Sequence, residues 1–325
     1  MAKLSLAEAQ AKAEAVLMTH KTSAANAKSV ATALVSAQAD GLGTHGLLRL
    51  ANYAAQANCG KVDGFAIPTL NQTAPSALIV DAANGFAYPA IDLAITALVP
   101  VALAQGIAAA SITRSGHCGA MGLAVERIAE RGMIAIMFAN APAAMAPWGG
   151  QTPLMGTNPI ASAFPRPASP PVVIDLSLSK VARGNVVAAA QQGAAIPDDW
   201  ALDVDGKPTT DAKAALAGTM LPLGGAKGAA LALMVEAMAA GLTGSHFAFE
   251  ASSFLDAKGP PPATGQFIIA INPALFGPGV SYIERLFTMV AAEKGARLPG
   301  ERRLANRQKA AQEGIEVQDS WFVGS

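Results

Sequence analysis

Between residues 77 and 138 the chain alternates short apolar runs with helical periods, and this alternation limits the fold more than any other feature of the sequence. Residues 77–81 read as a buried strand closed by the Asn84-Gly85 turn, 89–105 as a helix and 106–112 as a second strand. Residues 121–131 then read as another helix and 133–138 as a third strand. Such an order belongs to the α/β class. Neither strand-to-helix junction carries G-x-G-x-x-G or a P-loop, so the Rossmann fingerprint is missing. Strands are also expected at 172–175 and 267–271. Helices are expected at 23–39, at 50–58, from Leu223 through Ala240, and at 281–294. Ser5 and Glu8 have capping-box spacing at the start of a helix carrying Leu6, Ala9, Ala13, Val16 and Leu17. Loops fill 140–171, and Pro68 and Pro75 mark an extended crossing.

Ahead of this region lies Gly43-Thr44-His45-Gly46-Leu47-Leu48-Arg49-Leu50. If Thr44 caps a helix, His45 falls in its first turn and Arg49 one turn on, along the same face. A histidine exchanges protons near neutral pH, and an arginine grips a carboxylate through two parallel hydrogen bonds. Together they suit a small 2-oxo or 2-imino acid, although the same spacing also describes a solvated helix face. Leu223-Gly224-Gly225-Ala226-Lys227-Gly228 opens a helix and reads either as an anion site or as a tight turn with a solvated lysine. The acidic run 198–206 lacks the closing glutamate of a calcium loop.

Composition narrows the class further. Apolar residues make up 52% of 325 and charged residues 14%, which calls for a large core or an extensive subunit interface. The most apolar windows contain Asp92 or Glu236 and read as buried helices, and residues 1–8 show no signal-peptide core, so a cytoplasmic protein without a membrane span is expected. Net charge is zero and no basic run is interleaved with aromatics, which argues against nucleic acid. Cys59 and Cys118 stand apart without C-x-x-C spacing, so no metal is expected.

Four separated stretches occur in the order and spacing of one family: residues 43–50, Gly-Thr-Asn-Pro-Ile-Ala at 156–161, Ile-Asp-Leu-Ser at 174–177 and Pro-Leu-Gly-Gly-Ala-Lys-Gly at 222–228. The chain resembles the second malate/L-lactate dehydrogenase family over nearly its whole length. The resemblance implies a non-Rossmann α/β fold for NAD(P)H, with residues 76–280 as the cofactor-binding region. Residues 1–75 and 281–325 would form a helical, substrate-side domain built from both chain ends. Within the family, stretches 239–250, 265–271 and 297–303 are most similar to reductases of Δ1-pyrroline-2-carboxylate and Δ1-piperideine-2-carboxylate.

That likeness implies a dimeric reductase of cyclic imino acids using NADPH, with a 2-hydroxy acid dehydrogenase, and NADH, as the alternative. It places His45 as proton donor, Thr44 as its hydroxyl neighbour and His117, in Ser115-Gly116-His117-Cys118-Gly119, as a second acid/base candidate. Arg49 becomes the carboxylate clamp and Thr157 a neighbour of substrate or nicotinamide. Asp175, Leu176, Ser177, Lys227, Pro299, Gly300 and Glu301 are expected at the cofactor, and Arg183 at its 2′-phosphate. Asn185 stands where the imino-acid reductases carry an aspartate. An amide can hold an imidazole but stabilises its cation less than a carboxylate does.

Overall fold

The computed structural model describes residues 2–322 and starts with strand β1 (Ala2–Leu4) and helix α1 (Leu6–Thr19). Ser5 and Glu8 close the capping box reciprocally: the Ser5 hydroxyl accepts from the Glu8 N–H, and the Glu8 carboxylate accepts from the Ser5 N–H. Helices α2 (Ala24–Ala39) and α3 (Leu50–Cys59) follow, and Leu17, Leu34, Leu50 and Tyr53 bury together in a core of their own. The sheet region supplies β2 (Thr69–Ala74), β3 (Ala77–Asp81), α4 (Ala87–Gln105), β4 (Ile107–Ser115), α5 (Met121–Ala129) and β5 (Ile134–Ala139). After them come β6 (Ile160–Phe164), β7 (Val172–Leu176), α6 (Arg183–Gln192), β8 (Ala201–Leu202), α7 (Ala212–Ala217), β9 (Thr219–Met220) and α8 (Ala226–Glu236). The remaining elements are β10 (Thr264–Ile271), α9 (Val280–Ala292), α10 (Glu301–Glu313) and β11 (Ile315–Val317).

Seven strands form one sheet in the order β2-β3-β4-β10-β5-β6-β7. Only β3 and β4 run parallel, joined by the crossover helix α4; every other neighbouring pair in this sheet is antiparallel. The late strand β10 lies between β4 and β5, so the three strands read from 77–138 are not contiguous in space. Its register sets Ala270 opposite both Ala108 and Ala135, and these small side chains let α4 and α5 pack closely over the sheet with Ile95, Leu98, Met121 and Ile128 buried. Length and a mean hydropathy of 1.7 would let α4 cross a bilayer. In the fold it lies against β3, β4 and α2, which accounts for its composition.

Three segments depart from the sequence expectations. The crossing between Pro68 and Pro75 is a fully exposed edge strand, β2. A strand, β6, and a helix, α6, occupy stretches without a clear periodic signal. Helix α9 meets the β6 end of the sheet through Phe164–Phe287 and the Arg166–Glu284 pair, whereas α10 and β11 join the helical layer, with β11 pairing antiparallel to β1. Arg303 and Arg307 of α10 both bind Asp40, at the end of α2, and Glu126 of α5, with contacts of 2.7–2.8 Å. Both carboxylate side chains are buried. Burial works to raise Glu126, but the two guanidiniums outweigh it and hold the acid below its ordinary range.

Candidate active site

Thr44 does not cap a helix. His45 and Arg49 instead sit on two single 3₁₀ turns, Gly43–His45 and Leu47–Arg49, separated by Gly46 at φ −93°, ψ −147°. Gly46 is required there because α2 passes directly behind it: an added Cβ would lie 3.1 Å from the Gln38 Cα. The Gln38 side-chain oxygen accepts the Leu47 N–H at 3.3 Å and fastens the turn. Arg49 then serves as N-cap of α3 and donates from Nε to the Thr44 carbonyl at 2.7 Å. Its terminal nitrogens make no other protein hydrogen bond among the described residues, so the fork is open for a carboxylate.

The His45 ring stacks on that of His117, with centroids 5.5 Å apart and planes 24° from parallel. Burial, and then the charge of Arg49, push His45 down to about 4. Burial, Arg49 and His45 likewise hold His117 well below the ordinary histidine range. Both rings are therefore neutral at neutral pH. His117 Nδ1 lies 2.6 Å from the Tyr53 hydroxyl, which lies 3.1 Å from the Tyr88 hydroxyl. Burial pushes Tyr53 up to about 12, so it remains a phenol and can donate to Nδ1, placing the His117 proton on Nε2. Burial also pushes the Cys118 thiol up to about 12, which leaves it unreactive.

Asn185 lies in the first turn of α6, next to Gly184, where an added Cβ would be 3.4 Å from Thr44 Cγ2. This brings the α6 terminus to the turn that carries Thr44 and His45. No hydrogen bond joins Asn185 to His45, whose Nδ1 is buried without a partner among the described residues. Arg183, one residue before Gly184, donates to the Ala143 carbonyl at 3.1 Å and has no carboxylate partner there; burial lowers it from the usual guanidinium value.

A cleft of 390 Å³ lies between Asp40, Gly122, Asp175, Arg297, Gly300 and Arg302, with Pro299 and Glu301 on its wall. The Asp175 carboxylate accepts the Gly122 N–H at 2.7 Å, and an added Cβ on Gly122 would lie 3.1 Å from that oxygen. The chain from Gly122 back to His117 joins the cleft to the histidine pair. A nicotinamide dinucleotide fits this setting. Arg297 and Arg302 line the cleft and offer positive charge to phosphates, and the His45 Nδ1 is a buried polar atom without a partner among the described residues. Beyond Asp175, Leu176 and Ser177 lead to Leu178, whose N–H donates to the Thr157 carbonyl and whose carbonyl accepts from Leu223, both at 2.8 Å. Lys227 is exposed in the first turn of α8 and, like Arg183, lies outside the cleft lining. A larger groove of 720 Å³ beside α1 and α2 contains none of His45, Arg49 and Asp175.

Several residues at the site lack an isolated sequence motif. Glu236 is a buried acid that accepts from Asn140, Asn158 and the Ala248 N–H, and so fixes the loop bearing Thr157. Its position as the single acid in an apolar helix was the available signal. Tyr53 could be reached from Arg49 by helical spacing. Phe254, whose ring centroid lies 4.9 Å from that of His117, had no comparable signal.

Residues 4–322 match the family model described as malate/L-lactate dehydrogenase. A (2R)-3-sulfolactate dehydrogenase (NADP(+)) of Chromohalobacter salexigens is 49% identical over 318 residues, covering 98% of this chain and 95% of the relative. A Δ1-pyrroline-2-carboxylate/Δ1-piperideine-2-carboxylate reductase of Pseudomonas putida is 40% identical over 325 residues, covering 98% and 94%. The crystal structure of Δ1-piperideine-2-carboxylate reductase from Pseudomonas syringae superimposes with a TM-score of 0.94 at 36% identity, covering 99% of this chain and 98% of that one.

Proposed function

Because this chain belongs to the malate/L-lactate dehydrogenase family of NAD(P)-dependent oxidoreductases, we propose that it interconverts a 2-oxo and a 2-hydroxy acid bearing a second anionic group, of the 3-sulfolactate type, with NADP(H). The observation that carries this reading is the charge of the site. Arg49 lacks a carboxylate partner among the described residues, and position 185, in the helical turn beside Thr44, is an amide. A protonated cyclic imine would bring its own positive charge beside the Arg49 guanidinium, whereas a dianionic oxo acid would bring only negative charge to it. The 49% identity to a sulfolactate enzyme supports the same direction.

Arg297, Arg302 and the Pro299–Glu301 wall would hold NADP(H), which would supply or accept the hydride when bound. Arg49 holds the carboxylate through its open fork and so orients C2. His45 passes a proton to the substrate oxygen in reduction and takes it from the hydroxyl in oxidation. Stacking against His117, itself held by Tyr53, fixes the plane of the His45 ring. A second reading, reduction of a cyclic imino acid, is favoured by the relatives of that name and by the fold match at a TM-score of 0.94.

The two readings separate in one assay. NADPH and NADH oxidation would be followed with 3-sulfopyruvate, oxaloacetate, pyruvate and the five- and six-membered cyclic imino acids. The expected order places the dianionic oxo acids first in kcat/KM, with NADPH preferred. Turnover of the imino acids alone would overturn the proposal in favour of the second reading.

A further inference from the structure

Lys61 is a lysine whose side chain is wholly buried just after α3, reached through the left-handed turn at Gly60. An ammonium in such a place is tolerated only if its protons are used. Here Nζ donates to the carbonyls of Ser253 (2.7 Å), Asp256 (3.1 Å) and Lys258 (2.6 Å), with Asp256 Oδ1 at 3.4 Å. All four oxygens belong to one short segment, so the ammonium is satisfied only while that segment keeps its shape. Helix α3 adds further ties: Asn52 Nδ2 donates to the Phe254 carbonyl at 2.6 Å, and Gln56 Nε2 donates to the carbonyls of Phe254 (3.2 Å) and Asp256 (2.9 Å).

The segment thus presents one side chain to the reaction centre. The Phe254 ring tilts by 48° against His117, which stacks in turn on His45. Arg49, Asn52, Tyr53 and Gln56 follow helical spacing, so the helix that begins at the carboxylate clamp also orients His117 and ties down the aromatic segment. We propose that residues 252–258 form a fixed aromatic wall of the substrate pocket, with Phe254 limiting the length of side chain admitted at C2 and Lys61 acting as its positioning residue. This rests on the reading that the His45–His117 pair borders the substrate.

The test combines Phe254→Ala, Lys61→Gln and the double variant. In Phe254→Ala the kcat/KM ratio of 2-oxohexanoate to pyruvate is expected to rise by about 10-fold or more, mainly through KM, because each extra methylene carries an effect of that order. Lys61→Gln should move the ratio the same way, and the double variant should go no further than Phe254→Ala alone. A readout independent of substrate is the ring-current shift that Phe254 imposes on the His117 ring protons, assigned by their loss in His117→Asn; both single variants should abolish it. If Lys61→Gln fails to fold, Gln56→Ala should give a smaller shift of ratio and resonance in the same direction. Equal losses on all substrates with unmoved His117 resonances would overturn the proposal, as would additive effects. Should the wild-type protein reduce only cyclic imino acids, the oxo-acid reading falls. The wall would then be judged by the six- to five-membered ring ratio and by the same resonances.

Discussion

His45, the proton-transfer group of the proposed reaction, is an imidazole that burial and Arg49 hold down to about 4. The neutral ring is the form that accepts a proton, so oxidation of the hydroxy acid needs no adjustment at neutral pH. Its kcat/KM should stay level from pH 8 to 6 and fall only as the pH approaches 4, where the ring becomes charged. Reduction needs the protonated ring, a minor species at pH 7. Its kcat/KM should therefore rise by about tenfold for each unit the pH is lowered from 7 towards 5. Matched pH profiles in the two directions check this, and a reduction profile that falls over the same range would remove His45 as the proton donor. A carboxylate bound to Arg49 cancels part of the charge that depresses the ring, so substrate binding itself favours the protonated form.

Among the elements, the broken turn between α2 and α3 carries both His45 and Arg49. Gly46→Ala would force a Cβ towards the Gln38 backbone and disturb the turn that carries His45 and Arg49. It is expected to cost about 1–3 kcal/mol of stability, as overpacking does. KM should rise and kcat fall together, measured by urea unfolding alongside steady-state kinetics. Unchanged kinetics would show that the turn tolerates the methyl group. This element also shows what a sequence reveals. The sequence could single out His45 and Arg49 because their motif is compact, and the structure sets them on adjacent turns. The continuous helix expected between them was not formed, because the reason for Gly46 is a neighbouring helix. Asp175, Pro299, Gly300 and Glu301 were read from motifs far apart in the chain, and they line one cleft. The buried role of Lys61 was not legible, since its partners are mostly backbone carbonyls nearly two hundred positions later, and carbonyls leave no mark on a sequence. The placing of β10 between β4 and β5 was equally hidden: apolar runs identify a strand but not its neighbours.

At the scale of the whole molecule, the helical layer and the sheet are fastened by Asp40, Glu126, Arg303 and Arg307. Replacing Arg303 with Met would leave two buried carboxylates sharing one guanidinium, and breaking such a set costs about 3–5 kcal/mol. The midpoint of chemical denaturation should fall accordingly, and a change under 1 kcal/mol would mean that Arg307 alone neutralises both acids. The order of synthesis gives this cluster a further meaning. Asp40 and Glu126 leave the ribosome early, and their counter-charges arrive only with α10, after the entire sheet has been made. Until then the catalytic turn borders a pair of acids that repel one another, and the cleft lacks the wall that Pro299–Arg303 will provide. A nascent chain can build its two cores in sequence, yet the cleft between Asp40, Gly122 and Asp175 gains its last wall only when residues 299–303 arrive.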